Sequence, residues 1–463
     1  MISRSELVGS SFPPLRLKST AKNLLHPDYP FQPSRFPFFY GWIILAVCTV
    51  GMIMSLPGHT MGLSIFTDHL LLASGLSRLE LSNAYLVGTL ASGLLLPIGG
   101  VLLDRFGARA LVIGSSIWLA VTLCYLSFSD QLATLLDNQL PIELYSTIVL
   151  VILVLGFISL GFSGQGMLTM ISLITLGKWF ERRRGFTSSI AGILMSFGFA
   201  IIPLMLSSWM NIWGWRHTLV IMAVFIGIGM GVVGWIFYRD NPEECGLSMD
   251  GAAETSSVNL EPTVESDLQD FTRDQALRTS MFWVVTLALS CQTLVVTAIT
   301  FHIVDIGAEA GLSEIQVLAL FLPMTIISTI IGYLVGMAAD RFPLKYMFIL
   351  MILFQAVSVV CSGNMDSLWF RWLTVVGLGT SGGCFSTLSA VALPHFFGRA
   401  YLGAISGVQM MVTICLSAIG PSLLAMFKGQ FGSYQSGLYV CCIFPAVVLI
   451  LAILARNPQE QAN

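Results

Sequence analysis

Long apolar runs dominate this sequence of 463 residues. Charged residues make up 10% of the chain and hydrophobic residues 55%, whereas soluble domains are about 25% charged. A run of about 20 apolar residues can cross the hydrocarbon core of a bilayer as a helix. We place twelve such runs at 40–68, 80–103, 109–128, 145–177, 187–209, 217–238, 281–303, 315–338, 345–362, 369–394, 401–426 and 436–455. The sequence therefore predicts an all-α membrane protein with twelve transmembrane helices.

Two short motifs occur once in each half of the chain. The charged turn GVLLDRFGAR at 100–109 returns as GMAADRFPLK at 336–345, an offset of 236 residues (336 − 100). The glycine-rich stretch GFSGQG at 161–166 returns as GLGTSG at 377–382. Many secondary transporters contain one structural unit twice, with the substrate site between the two copies. The repeat therefore predicts two pseudo-symmetric six-helix bundles (6+6).

The domain boundaries follow from the spacing of the apolar runs. The segment between the sixth and seventh runs is rich in Glu, Asp, Ser and Thr, a composition typical of a flexible linker. We expect an N-terminal tail at 1–37, an N-terminal bundle at 38–240, a linker at 241–280, a C-terminal bundle at 281–456 and a C-terminal tail at 457–463.

The distribution of Lys and Arg predicts the orientation. If both termini are cytoplasmic, only Arg78, Arg216, Arg371 and Lys428 lie outside, so the cytoplasmic side carries 18 of the 22 basic residues (22 − 4). Positive charge resists translocation across the membrane. The first 37 residues contain no apolar stretch of signal-peptide length. We therefore expect a multi-pass protein of the plasma or inner membrane with both termini cytoplasmic, and the predicted linker and both tails on that same side.

The turn at 100–109 resembles the signature loop of the major facilitator superfamily, and the twelve-run layout matches that superfamily over 38–456. YGW at 40–42, WFERRRG at 179–185 and IAG at 190–192 resemble its monocarboxylate and oxalate/formate porters. Two residues depart from the pattern: Ala110 stands where a second basic residue is common, and Pro343 replaces the turn glycine in the second copy. The resemblance implies alternating access by rocking of the two halves.

The resemblance also implies a gate at the inner end. In the superfamily, the aspartate of the turn braces this gate against span eleven of the other half. A carboxylate is favoured at a helix N-terminus, whose partial charge is positive. Carried over, Asp104 docks near 401–404, and Asp340 and Arg341 do the mirror task near span five. The expected partners of Asp104 are Arg105, Arg109, Arg182, Arg183 and Arg184. The alternative is that each turn only anchors the topology.

A break in the first apolar run marks a candidate substrate site. Pro57 and Gly58 interrupt the run and are followed by His59 and Thr60. Irregular backbone is tolerated at membrane depth only beside a cavity or other protein. The monocarboxylate porters carry a basic residue close to this position. A histidine here could accept a proton or bind a carboxylate; alternatively, neighbouring backbone groups satisfy His59.

Further polar residues inside the apolar runs are substrate or proton candidates. Gln165, Gln292 and Gln409 lie in the fourth, seventh and eleventh runs, and each amide can donate and accept hydrogen bonds to a solute or to another helix. His302 and Asp305 lie three residues apart near the outer end of the seventh run. This pair could form an outer gate or a proton entry, or an interfacial pair without a transport role.

The absence of certain residues and motifs from the sequence narrows the range of possible substrates and activities. Ranges 315–338 and 401–426 contain no Lys or Arg, which favours a substrate with one carboxylate or none. Range 145–177 also lacks them, unlike many drug/proton antiporters. The nine cysteines form no CxxC or metal-ligand spacing, so we expect no cofactor or metal. Zinc-protease and P-loop patterns are missing, so we do not expect an enzyme.

The sequence thus predicts a secondary transporter that moves a small organic solute, with a monocarboxylate as a candidate. It would act as a proton symporter through His59 or His302. Its expected partners are the solute, protons and the lipid bilayer; we expect a monomer that binds no nucleic acid. A transporter-like sensor without net transport and a carrier for a neutral polar solute remain open alternatives.

Overall fold

The computed structural model describes residues 26–139, 144–251 and 269–462, and the regular elements in these ranges are helices. Residues 1–25 of the predicted N-terminal tail, 252–268 of the predicted linker and residue 463 of the predicted C-terminal tail lie outside the described residues.

Ten helical runs in the described part of the chain are long and apolar enough to cross a membrane. Two of them are double-length and are interrupted by a glycine, Gly107 or Gly214, each with a φ of 79°. Glycine adopts this positive φ without the steric strain of a Cβ. The helix is interrupted at this residue, so each double-length run consists of two helices and contains two crossings. The ten runs therefore make twelve crossings, and the predicted all-α 6+6 architecture is confirmed.

We number the crossings as spans 1–12. Their helices in the first half are Gly41–Met54 (span 1), Arg78–Ser127 (spans 2 and 3), Tyr145–Leu160 with Gly161–Leu168 and Thr169–Trp179 (span 4), and Arg184–Val224 with Phe225–Met230 and Gly231–Phe237 (spans 5 and 6). In the second half they are Ser280–Phe301 (7), Phe321–Ala339 (8), Leu344–Ser362 (9), Leu368–Phe397 (10), Leu402–Phe431 (11), and Tyr434–Cys441 with Ile443–Leu454 (12).

Both described chain termini lie at the same end of the molecule. Asp104 and Asp340 also lie at this end. We call it the basic end, because most Lys and Arg residues lie there in the predicted topology. The Arg239 guanidinium holds the N-terminal segment there, with Nε 2.5 Å from the Pro27 carbonyl oxygen. Near the C-terminus, the Gln459 amide nitrogen lies 3.0 Å from the carbonyl oxygens of both Gln269 and Phe396. An even number of crossings requires this arrangement.

The described ends of the predicted linker are hydrogen-bonded to the bundles. Asp250 accepts hydrogen bonds from the backbone N–H groups of Glu181 (3.0 Å) and Arg182 (2.7 Å), in the turn between spans 4 and 5. Asp270 accepts from Arg399 (2.7 Å) and Ala400 (3.1 Å), in the turn between spans 10 and 11. Each carboxylate thus binds backbone N–H groups of a turn that directly precedes a helix.

Candidate functional site

Span 1 breaks where it meets a widened part of span 4. A 3-10 turn at Leu56–Gly58 follows the first helix, because Pro57 lacks an N–H and interrupts the hydrogen-bond pattern. Gly58 lies directly on the π-helical segment Gly161–Leu168. A Cβ on Gly58 would lie 2.8 Å from the Leu160 carbonyl oxygen and 2.9 Å from the Gly164 Cα. Single π-helical turns inside α-helices are frequent at functional sites.

The second half lacks this widening although its sequence motif matches. Span 10 is one α-helix from Leu368 to Phe397, including the GLGTSG copy. Its glycines pack against regular neighbours: a Cβ on Gly377 would lie 2.8 Å from the Ser358 Cβ, and one on Gly379 would lie 2.9 Å from Ile327. The repeat in sequence is therefore a repeat of close packing, and the break and the π-helix belong to the first half.

The polar side chains at the break form two small clusters. The His59 Nε2 lies 3.2 Å from the Ser55 hydroxyl, which accepts a hydrogen bond from Thr169 at 3.1 Å. The His59 ring also contacts Phe199 edge-on, with 5.1 Å between centroids. Thr60 and Tyr85 share a hydrogen bond of 2.9 Å between their hydroxyls. The first bundle thus presents an imidazole, the exposed hydroxyl of Thr60 and the half-buried hydroxyl of Tyr85.

In the second bundle, the candidate polar groups are the side-chain amides of Gln409 and Gln292. The Gln409 side chain donates to the Thr413 hydroxyl at 2.8 Å, and that hydroxyl lies 3.0 Å from Ser290 on span 7. Gln292 is 2% exposed, and its Oε1 has no hydrogen-bond partner among the described residues. Its Nε2 lies 4.0 Å from a Cβ built on Gly382 of span 10.

A small cavity lies between the two bundles. Its walls come from spans 4, 10 and 11, and its polar side chains are Ser389, Ser406 and Gln409. Five candidate substrate residues predicted from the sequence lie inside the apolar runs: His59, Thr60, Gln165, Gln292 and Gln409. Of these five, Gln409 lines this cavity. Gln165 lies half-buried on the π-helical segment, next to the break that carries His59 and Thr60.

His302 and Asp305 lie beyond span 7, away from the break and the cavity. The His302 Nε2 lies 3.0 Å from the Pro421 carbonyl oxygen, and its Nδ1 lies 3.3 Å from the Tyr434 hydroxyl and 3.9 Å from the Asp305 carboxylate. These contacts join spans 7, 11 and 12, which all belong to the second bundle.

Hydrogen bonds at regular intervals join span 7 to span 11. The hydroxyls of Thr293 and Thr297 donate to the Thr413 and Ser417 carbonyl oxygens at 3.2 and 3.0 Å. Because Pro421 has no N–H, the Ser417 carbonyl lacks its usual helical donor. Thr297 supplies that donor, so spans 7 and 11 form one unit.

The two aspartates of the repeated turn bridge the bundles at the basic end. The Asp104 carboxylate accepts from the N–H groups of Gly403 (2.8 Å) and Ala404 (2.7 Å), at the start of span 11. The Asp340 carboxylate accepts from Gly185 (2.7 Å) and Phe186 (3.2 Å), at the start of span 5. Negative charge is favoured at both positions by the free N–H groups and the helix dipole. The structure places both carboxylates where the resemblance implied.

Glycine pairs allow this close approach of the bundles. A Cβ on Gly100 would overlap the Gly403 carbonyl oxygen, and one on Gly185 would overlap the Gly336 carbonyl oxygen. Beside the second pair, the Ser189 hydroxyl donates to the Gly332 carbonyl at 2.8 Å. Backbones therefore touch at both crossings, and the basic end is closed.

The cationic partners expected for Asp104 lie elsewhere. The Arg109 guanidinium donates to the carbonyl oxygens of Trp235, His26 (2.9 Å) and Tyr29 (2.6 Å). Its counterpart Lys345 donates to Ile453 (2.7 Å) and Ala455 (2.9 Å). Each cation binds the carbonyl end of the last span of its own bundle, where positive charge is favoured. The prediction that Arg109 pairs with Asp104 is wrong.

The arginines of the turn between spans 4 and 5 do not serve Asp104 either. Arg184 is 4% exposed, and its Nε donates to the Gly177 and Phe180 carbonyl oxygens at 3.1 and 2.9 Å. The N–H groups of Arg182 and Arg183 face Asp250. Lys178 is near enough to Asp104 to act on its carboxylate electrostatically. Arg105 and Arg341 are exposed on their turns.

Burial and hydrogen bonding act in opposite directions on the carboxylates outside the spans. Burial raises the pKa of Asp340 above its usual value, against the lowering effect of the Gly185 and Phe186 N–H groups and the Arg184 charge. Burial likewise raises the pKa of Asp240, which accepts from the N–H groups of Ala108 and Arg109. Closing the basic end thus desolvates a carboxylate, and the helix N–H groups offset part of that cost.

Several residues that build the site gave no signal in the sequence. Ser55 and Tyr85 are an ordinary serine and tyrosine in apolar runs, and only the fold brings them to His59 and Thr60. Asp250 and Asp270 lie in the segment expected to be flexible.

Comparison with known families identifies the fold. A family model described as Major Facilitator Superfamily matches residues 43–421, most of the chain. The chain belongs to this superfamily. Its curated relatives include the proline/betaine transporter of Escherichia coli (strain K12), which is 22% identical over 391 residues, covering 80% of this chain and 73% of the relative.

Solved structures of the superfamily share the architecture. The proton:xylose symporter XylE aligns with a TM-score of 0.63 and 14% identity, covering 91% of this chain and 99% of that one. The E. coli fucose:proton symporter FucP aligns with a TM-score of 0.56 and 14% identity, covering 89% and 98%. At this identity the likeness shows the fold. The resemblance to the monocarboxylate and oxalate/formate branch is not confirmed by these comparisons.

Proposed function

We propose that this superfamily member is a secondary active transporter that moves a small organic solute by alternating access. The observation that carries the proposal is the pair of reciprocal contacts at the basic end. Asp104 of the first bundle binds span 11, and Asp340 of the second binds span 5. The cavity lined by Gln409 lies between the same two bundles. One set of hydrogen bonds thus controls access to the site from one side.

The basic end is the cytoplasmic side in this proposal, since 18 of the 22 Lys and Arg lie there in the predicted topology. The described conformation is then closed to the cytoplasm. Rocking the bundles apart breaks the contacts of both aspartates and returns each carboxylate and helix end to water. Water repays most of the lost hydrogen bonding, at a net cost of about 1.5–3 kcal/mol for each bond to a charged group.

We propose a solute with at most one carboxylate. Spans 8 and 11 contain no Lys or Arg within 315–338 and 401–426 that would offset a second one. The monocarboxylate resemblance and the proline/betaine transporters among the relatives both fit this limit. A sensor without net transport is the second candidate, since its binding site would look the same.

Counterflow in proteoliposomes tests the proposal. Vesicles loaded with unlabelled solute are expected to accumulate the labelled solute transiently, with proline, glycine betaine, lactate, xylose and inositol as the first probes. A sensor would bind a probe, seen as a thermal shift, without counterflow. Binding without exchange would therefore refute transport.

Asp104→Asn is expected to slow counterflow about tenfold, because the loss of a charge-assisted bond shifts the conformational equilibrium by about 1.4 kcal/mol or more. Asp240→Asn is the matched control. Asp240 also accepts from two N–H groups at a helix start, but that helix is span 3 of its own bundle. This variant should lower the melting temperature and leave the exchange rate within twofold of wild type. Equal exchange rates for both variants would contradict the gating role of Asp104.

We further propose that proton coupling runs through His59. His59→Gln keeps a hydrogen bond to Ser55 but cannot carry a proton across the physiological range. This variant should retain counterflow and lose accumulation driven by an inward proton gradient. His302→Gln serves as the comparison, because His302 lies in the cluster with Tyr434 at the far end of span 7. If His302→Gln alone abolishes accumulation, the coupling site is His302.

A further inference from the structure

We infer that the transported solute carries no net charge and is recognised through hydrogen bonds to amide and hydroxyl groups. This inference rests on the proposed transport function and names its substrate class. The class includes uncharged polar molecules and zwitterions.

The distribution of charge in the spans is the first observation. Every Asp, Glu, Lys and Arg of the twelve spans lies within four residues of a span end. Away from these ends, at the depth of the break in span 1, the spans contain no fixed charge, and His59 is the side chain there that a proton could make cationic. An ionised solute at this depth would lose its hydration without meeting a fixed opposite charge.

Three of the charged groups at the span ends have partners within the protein. Arg216 forms a bidentate pair with Asp130, at 2.8 and 2.6 Å. Lys428 pairs with Glu309, and Arg371 donates to the Met365 carbonyl oxygen at 2.5 Å. Reaching a central solute would require each of them to give up these bonds.

Gln292 is the second, independent observation. Its amide is 2% exposed, and the buried Oε1 has no partner among the described residues. An unpaired acceptor of this kind is unfavourable until a donor arrives. The amide lies beside Gly382, on the face of span 10 that continues through Ser386 to the cavity residue Ser389. A solute hydroxyl or N–H group would satisfy the Oε1.

The competing possibility is an anionic substrate that binds to His59. As an imidazolium it could bind a carboxylate, and the substrate would then be an anion. In the structure its Nε2 is bonded to the Ser55 hydroxyl and its ring packs edge-on against Phe199. These neighbours suit a neutral imidazole. Anion binding through His59 is therefore the outcome that the experiment must separate.

The experiment measures thermal shifts of the purified full-length protein with ligands that differ in charge at nearly constant shape. Lactamide is compared with lactate, malonamide with malonate, and alanine with its cationic methyl ester and its anionic N-acetyl derivative; xylitol and inositol extend the neutral set. We expect stabilisation only by members without net charge, with dissociation constants at least about tenfold lower than those of their charged counterparts. The amide and alanine arms distinguish uncharged solutes from zwitterions.

Two leucine variants test the role of Gln292. Gln292→Leu should reduce the shift given by the best neutral ligand at least about fivefold. Gln355→Leu is the matched control, because Gln355 is fully buried on span 9, beside the Cys291 thiol. This control should keep the ligand shift.

Three outcomes would overturn the inference. They are a thermal shift that is largest with a charged ligand, no thermal shift with any neutral ligand, and a ligand-induced shift that Gln292→Leu leaves unchanged. Counterflow separates this failure from that of the proposed function. Exchange of a charged solute would leave the transporter proposal standing and remove only the substrate class.

Discussion

Replacing Gly100 by leucine is expected to hold the basic end open and to abolish net transport. The span 2 backbone touches span 11 at this position, and a Cβ on Gly100 would overlap the Gly403 carbonyl oxygen. Since backbone atoms on both sides cannot move aside like a side chain, the closed conformation must separate. Overpacking typically costs about 1–3 kcal/mol, which shifts a two-state equilibrium by roughly tenfold to a hundredfold. The open conformation gains this advantage, because the leucine then faces water or lipid.

Spin labels at the exposed positions Glu181 and Tyr401, one on each bundle, report the separation by double electron–electron resonance in a background without native cysteines. Gly100→Leu should move the distance distribution to longer values. Gly114→Leu is the matched control on the same double-length run, since no described atom lies within 4 Å of a Cβ on Gly114. If Gly100→Leu keeps the wild-type distances between the spin labels and the wild-type rate of solute exchange, this contact does not control closure.

The sequence predicts the anchors of this gate better than their surroundings. An aspartate in a repeated turn between two apolar runs must lie at a membrane surface, and the family resemblance adds its target on the opposite bundle. Both docking positions, at Gly403 and at Gly185, agree with the structure. The predicted pairing of Arg109 with Asp104 does not agree with the structure. A guanidinium or ammonium group binds whichever helix end lies nearest, and the packing of span 6 against span 3 decides that for Arg109.

The same distinction holds at the candidate site. Pro57 and Gly58 predict a break in span 1 from local chemistry alone. The equivalent glycine motifs in spans 4 and 10 predict equivalent helices, yet only span 4 is π-helical. That difference depends on what faces each motif: the broken turn of span 1 in one case, regular helices in the other. Local sequence does not contain this information.

Gly58→Ala is the second change with a large expected effect. In the structure the broken turn of span 1 rests on the π-helical segment of span 4 through backbone atoms. A Cβ on Gly58 would overlap the Gln165 backbone nitrogen, and one on Gly164 would lie 2.9 Å from the Gly58 Cα. The added methyl group must therefore push spans 1 and 4 apart, displacing His59 and Gln165 together. We expect a loss of about 1–3 kcal/mol in stability and a fall of counterflow by at least about tenfold.

The control for this change is Gly229→Ala, at a glycine in the other π-helical segment, Phe225–Met230. No described atom lies within 4 Å of a Cβ on Gly229. Alanine there should raise the melting temperature slightly, because it restricts the unfolded chain more than glycine does. If Gly58→Ala lowers the melting temperature but leaves counterflow at the wild-type rate, the break supports the fold and does not bind the solute. If both variants behave alike, contact between spans 1 and 4 at Gly58 contributes neither to stability nor to transport.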